Sequence, residues 1–186
     1  ELIDRLPMAT EYTVSIPAGT ESQTGGTLAD AVQFRFSTPT VTLVNSYPYS
    51  YAPQPLEPLF FAHFNQRIDA AAVLETIKVD AEGRQMALRL ATEEEIAADS
   101  TVRYLAENAQ EGRWLAFRAT EALTADTYVA VTIGPKTPST EGPLLTESIQ
   151  SYGFNTYAPL QIVEHGCSYW EEICRPLQSF FIEFNN

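Results

Sequence analysis

The 186-residue chain has no apolar run of about 18 residues, the length that a membrane-crossing helix requires. Basic residues are scarce: 11 Lys and Arg face 24 Asp and Glu, for a formal net charge of -13. A surface of that sign repels phosphate backbones and anionic lipid, which excludes nucleic acid and anionic membranes as partners. Two histidines, His63 and His165, are too few and too far apart for a histidine-built metal site. No glycine-rich loop opens a helix, because Gly25-Gly26 lies between two strand-like stretches. Residues 1–5, Glu-Leu-Ile-Asp-Arg, have neither the basic start nor the apolar core of an export signal, so the chain reads as a trimmed segment of a longer protein. What is there is ordinary: 45% hydrophobic and 19% charged residues, enough to bury a core.

Only two cysteines occur, in Cys167-Ser-Tyr-Trp-Glu-Glu-Ile-Cys174. The spacing suits a short-loop disulfide. Two free thiols are the competing reading, and a metal site that borrows His165 would lack a fourth ligand. A disulfide places the chain outside a reducing cytosol, so the expectation is an exported protein, periplasmic, cell-surface or extracellular.

Where motifs are missing, a repeat organises the chain. Leu6, Thr10 and Ile16 recur 117 residues on, at Leu123, Thr127 and Ile133. The same offset pairs Ser22 with Ser139, Gly25 with Gly142, Leu28 with Leu145 and Gln33 with Gln150. One inserted residue later Phe36 and Thr38 meet Phe154 and Thr156, and a second insertion brings Val44 onto Val163. Phe60-Phe61-Ala-His-Phe64-Asn65 returns as Phe180-Phe181-Ile-Glu-Phe184-Asn185, at an offset of 120. Residues 41–157 therefore read as one complete repeat. Residues 1–40 read as the C-terminal strands of a preceding repeat, and 158–186 as the N-terminal strands of a following one. Unpaired strand edges are liabilities, so the two ends are expected to pair with each other, within the chain or between chains.

Residues 12–16 and 129–133 alternate apolar with small or polar side chains, the period of a half-buried strand. Each is followed by a turn-rich loop and a returning strand, at 32–36 and at 149–154. Residues 41–44 and 160–163 read as first strands, and the proline-rich stretch 48–58 as a linker-like edge. Residues 59–64 form a second strand with Phe60, Ala62 and Phe64 on one face, matched by Phe180, Ile182 and Phe184.

In the unrepeated middle, residues 69–76 predict a short helix capped by Asp69. Residues 77–79 and 86–90 read as strands. Thr92-Glu-Glu-Glu95 is a capping box opening a helix whose Ile96, Ser100 and Arg103 side is weakly apolar. Residues 113–118 return to strand, with Leu115 and Phe117 opposite Trp114, Ala116 and Arg118. The fold class this predicts is all-β: Ig-like sandwich repeats with a short helical insertion.

Candidate chemistry is thin. Glu93, Glu94 and Glu95 sit at a helix start, where carboxylates favour the helix dipole. His63 faces outward in its strand register, and Glu183 takes its place in the copy. His165 stands in a turn beside Gly166. Residues 47–51, Tyr-Pro-Tyr-Ser-Tyr, form a tyrosine cluster that either packs on the linker or serves as a contact surface. The reading assigns no catalytic residue, no cofactor site and no metal ligand, and the chain is not expected to be an enzyme.

Three segments carry a likeness: Phe61-Ala-His-Phe64-Asn65-Gln-Arg-Ile68-Asp69, then Leu123 to Tyr128 ahead of a long hairpin, then Phe154-Asn-Thr156. Together they resemble bacterial Ig-like domains, and more narrowly the N-terminal region of bacterial α2-macroglobulins, exported proteins that trap proteases. That resemblance implies a scaffold segment of a protease inhibitor, with neighbouring domains of the parent as partners and target proteases reached through the parent. The family's thioester motif, Cys-x-Glu-Gln, is absent, since Cys167 precedes Ser-Tyr-Trp and Cys174 precedes Arg-Pro-Leu. The alternative expectation is an Ig-like stalk or adhesive repeat of a bacterial surface protein.

Overall fold

A computed structural model describes residues 5–167, 174 and 177–185. Its strands are β1 (Glu11–Ile16), β2 (Val32–Ser37), β3 (Leu43–Tyr47), β4 (Phe60–Phe64), β5 (Ile77–Ala81), β6 (Arg84–Gln85), β7 (Leu88–Leu90), β8 (Trp114–Ala119), β9 (Tyr128–Ile133), β10 (Gln150–Asn155), β11 (Ile162–Gly166) and β12 (Phe181–Phe184). Three short helices interrupt them: α1 (Ala70–Leu74), α2 (Glu93–Ala98) and α3 (Ser100–Asn108). The chain is all-β, as its alternation predicts.

Two four-stranded antiparallel sheets form the centre, ordered β3-β4-β8-β7 and β10-β9-β5-β6. Counting from β3, the first sheet holds the first, second, sixth and fifth strands, and the second holds the last two with the hairpin between. That is the strand distribution of an immunoglobulin-type sandwich. The inward residues of each strand alternate with outward ones, so Phe60 and Phe64 of β4, Phe117 of β8, Val129, Val131 and Ile133 of β9 and Phe154 of β10 share one buried cluster. Phe60 stacks on Phe117 with ring centroids 4.9 Å apart and meets Phe154 across the sheets at 5.8 Å.

The repeated strand pairs share register and loop ties. In the β1–β2 pair Glu11 lies opposite Ser37, and in β9–β10 Tyr128 lies opposite Asn155. The β3–β4 register breaks at a bulge between Leu43 and Asn45, and β11–β12 breaks between Ile162 and Glu164, at the matching place. The loop into each of these pairs is tied the same way: the Thr42 amide donates to Asn65 Oδ1 and the Gln161 amide to Asn185 Oδ1, both at 2.8 Å.

Below the hairpins, the Thr38 hydroxyl accepts from the Thr10 amide at 3.0 Å and donates to the Pro7 carbonyl at 2.8 Å. Thr156 repeats this with Thr127 at 3.0 Å and Thr124 at 2.6 Å. Even the left-handed residue of the turn recurs, Ala9 at φ 48 and Asp126 at φ 55.

The structure moves one insertion in the repeat. Ile16 pairs with Val32 and Ile133 with Gln150, so Val32, not Gln33, is the counterpart of Gln150. The extra residue falls earlier, in the loop: Gly19 donates to the Leu28 carbonyl, whereas Lys136 donates to that of Thr146. The identities Leu28–Leu145 and Gln33–Gln150 are therefore out of register. A one-residue slip in a strand turns every side chain to the opposite face, which is why sequence identity alone misplaces it.

The expected mutual pairing of the chain ends is not seen among the described residues of the chain. β1–β2 and β11–β12 are separate two-stranded sheets. β1–β2 sits at the end of the central sandwich that carries the β9–β10 loop, where the Leu144 amide donates to the Ala9 carbonyl at 2.7 Å. β10 then runs away from that loop, so Asn155 stands at the opposite end of the sandwich.

The helical insertion covers the outer face of the first sheet. α2 opens with a complete capping box between Thr92 and Glu95. The helix expected to continue from it stops at Asp99, whose carboxylate caps a new start by accepting from the amides of Thr101 and Val102. The weakly apolar side anticipated at Ile96, Ser100 and Arg103 is corrected by this break. The face that packs is Ile96, Val102, Leu105 and Ala106, over Leu59, Phe61 and Ala116. α1 is capped by Asp69 as its sequence predicts.

Candidate functional site

Two strand pairs, β1–β2 and β11–β12, carry large apolar residues that are exposed. In the central sandwich Val129, Val131 and Ile133 of β9 and Phe154 of β10 are completely buried. Their counterparts on β1–β2 are open: Phe34 is 49% and Phe36 40% exposed. Tyr12 stacks on Phe36 with centroids 5.4 Å apart, which widens the apolar surface. A depression of about 440 Å³ lined by Ile16, Leu28 and Val32 continues it. On β11–β12 the counterparts of the fully buried Phe60 and Phe64 are Phe180 and Phe184, 63% and 48% exposed. Large apolar residues aligned on one side of a strand pair mark a contact surface.

A second feature is the joint between β1–β2 and the sandwich. Ala9 is fully buried there. A side-chain carbon at Gly142 would collide with the carbonyls of Met8 and Ala9, so the glycine is required by close backbone approach. Gln66, also buried, donates from Nε2 to the Pro39 carbonyl at 2.8 Å. Glu141 accepts from the Arg67 amide at 2.8 Å and lies 3.6 Å from the Arg113 guanidinium.

The tyrosine cluster divides its roles. Tyr47 closes the small core under α3, and burial, then the charge of Asp99, pushes its hydroxyl pKa up. Tyr49 meets Tyr47 edge-on and stacks on Tyr51, both at 5.3 Å. Tyr51 is 82% exposed. Tyr152, half-buried against the core, has its pKa raised by desolvation and donates to the Tyr47 carbonyl at 3.3 Å.

The candidate acids and bases do not converge. Glu95 caps α2 and pairs with Arg89 at 2.6 Å, which together with the Thr92 amide holds its pKa down to about 2. Arg118 Nε is 3.2 Å from the same carboxylate but out of line for a hydrogen bond. His63 lies on the face of β4 opposite Phe60 and Phe64, as its register predicts, and is half-buried opposite Trp114; burial and then Arg113 lower its pKa. His165 belongs to strand β11, not to a turn, and its ring lies 6.3 Å from Phe180. Cys167 and Cys174 are joined in a disulfide with Cα atoms 5.5 Å apart. Among the described residues no group of three His, Cys, Asp or Glu is placed to hold a metal ion, and no helix is long and apolar enough to cross a membrane.

No family model matches the chain. A curated protein of Dictyostelium discoideum, "Circularly permutated Ras protein 2", is 26% identical over 157 residues, 81% of this chain. The chain spans only 4% of that relative's length. This match corrects the functional expectations drawn from the macroglobulin likeness. The relative is named for Ras, a GTPase class, and not as a protease inhibitor or a bacterial surface stalk. The expectation of a protein without enzymatic activity is corrected on the same ground.

Proposed function

We propose that the chain is a tandem sandwich segment of a long multidomain protein that carries a Ras-type GTPase unit in another part of its polypeptide. The observation that carries this reading is the match itself, which takes in most of this chain and a small fraction of its relative. A phosphate-binding loop of the P-loop type needs a Gly-Lys step at the mouth of a helix, and no Gly-Lys dipeptide occurs here. The GTPase unit would stand elsewhere in that polypeptide. The sandwiches set its distance and orientation from neighbouring units.

In this reading residues 41–157 are one whole unit. Residues 1–40 supply the last strands of the unit before it and 158–186 the first strands of the unit after it. Neighbouring domains of the same protein are the partners, held at a joint such as the one around Ala9 and Gly142. Titration with a fluorescent GTP analogue tests the proposal: the 186-residue chain should leave its fluorescence unchanged, and the long protein containing it should bind. Binding by the chain alone, or no binding by the long protein, would overturn it.

A further inference from the structure

We propose that the depression where α1, β5 and the β9–β10 loop meet is a binding site for a carboxylate carried on an apolar body, its anionic end held by Lys78 and Lys136. The site lies wholly in the central unit, and the inference does not rest on the GTPase reading above.

The chain has only two lysines, against 24 Asp and Glu, and both line this one depression of about 470 Å³. That size falls in the range of small-molecule sites, about 300–1,000 Å³. Lys78 is the exposed residue between the buried Ile77 and Val79, so it stands on the outer face of the second sheet, opposite Thr132 of β9. Lys136 reaches the same place from the loop after β9. In a chain so rich in carboxylates a cation readily finds one, and Arg35, Arg84, Arg89, Arg113 and Arg118 each pair with a glutamate. Neither lysine makes an ion pair among the described residues.

The backbone at Lys136 is strained. Its φ of 71 is a left-handed conformation that a side chain makes costly and that glycine adopts freely. The matching turn between β1 and β2 has glycine there: Gly19, at φ 81, donates to the Leu28 carbonyl as Lys136 donates to that of Thr146. The turn works with glycine, and the central unit carries a lysine in spite of the strain. Its neighbours hold it in place: the Thr137 amide donates to Thr146 Oγ1 at 2.9 Å, and the Thr137 and Thr76 hydroxyls are 3.2 Å apart. Strain kept where it presents an unpaired cation to a cavity marks a side chain with a use.

The lining sets the ligand. Ala72, Pro138 and Leu145 supply apolar wall, and Leu145 is 46% exposed until something covers it. Glu75 adds one carboxylate to the two ammonium groups, leaving a net single positive charge. That balance suits a carboxylate and disfavours a dianion such as phosphate.

NMR titration of the full chain tests this, with hexanoate and the peptide acetyl-Ala-Ala-Leu, whose C-terminus is a free carboxylate, as probes. Reductive ¹³C-methylation keeps the charge and gives each of the two lysines its own signal. Either probe should shift both lysine signals and the Lys136 and Thr137 amides saturably. The tighter of the two shows whether the carboxylate belongs to a free acid or to a peptide end. Uncharged hexanamide should shift none of them. Lys78→Gln and Lys136→Gly should each weaken hexanoate binding about tenfold, the loss of one charge-assisted contact. Lys136→Gly places in the central turn the residue its copy uses, so it should not lower the thermal midpoint, which separates binding from folding. No saturable shift with either probe, hexanamide acting as hexanoate does, inorganic phosphate binding more tightly than hexanoate, or Lys136→Gly binding as the wild type does would each overturn the proposal. These signals are read apart from the nucleotide titration, so the two readings fail separately.

Discussion

The same threonine serves both hairpins, and its surroundings decide what it is worth. Thr38 and Thr156 each take one amide hydrogen and give one hydrogen to a carbonyl, but Thr156 is buried and Thr38 half-buried. Removing a hydroxyl from a buried site strands the Thr127 amide without water to replace it, at about 1–3 kcal/mol. Thr156→Val should therefore lower stability by that amount in urea unfolding, and Thr38→Val by distinctly less.

Charge acts at this scale too. Glu95 has a folded-state pKa near 2, below its ordinary 4.5, so the stability it lends is fully present above the ordinary value and is lost as pH falls through the folded one. An NMR titration of the Glu95 carboxyl should show a midpoint near 2, and α2 amide exchange should quicken over that acid window. Glu95→Gln should remove the acid step, and Arg89→Gln should move the midpoint upward.

Between elements, the joint at Gly142 holds β1–β2 against the sandwich. Gly142→Val would force the Met8 and Ala9 carbonyls away from the β9–β10 loop. Hydrogen exchange at the Leu144 amide should accelerate and the segment around Pro39 and Val41 should become open to proteases, while the unfolding of the central core stays where it was.

The strands at this scale were legible because their signals are local. The alternation in β1 and β9, the Phe60–Phe64 face and the caps at Asp69 and Thr92 need no tertiary knowledge. Three features were not legible, each for a physical reason. The helix break at Asp99 is a second cap hidden inside a continuous helical pattern. The burial of Phe61 and His63 on the outer face depends on where α3 lands. The insertion in the β1–β2 loop was masked by chance identities at Leu28 and Gln33, which only the pairing of Ile16 with Val32 exposes. The open faces were readable as half domains, whereas no residue pattern announced a relative named for Ras.

For the whole molecule, a sandwich unit is defined by which strands share a core, and β3 to β10 make up one such set, flanked by two separate strand pairs. The strands of β1–β2 and of β11–β12 pair with each other, while Phe34, Phe36, Phe180 and Phe184 are exposed. Cross-strand Hα–Hα and amide contacts in solution NMR test the duplication most directly. The account predicts Glu11 opposite Ser37 as Tyr128 is opposite Asn155, and a one-residue bulge between Ile162 and Glu164 matching that between Leu43 and Asn45. A slipped register in either terminal pair, or β1 paired with β12 of the same chain, would contradict it.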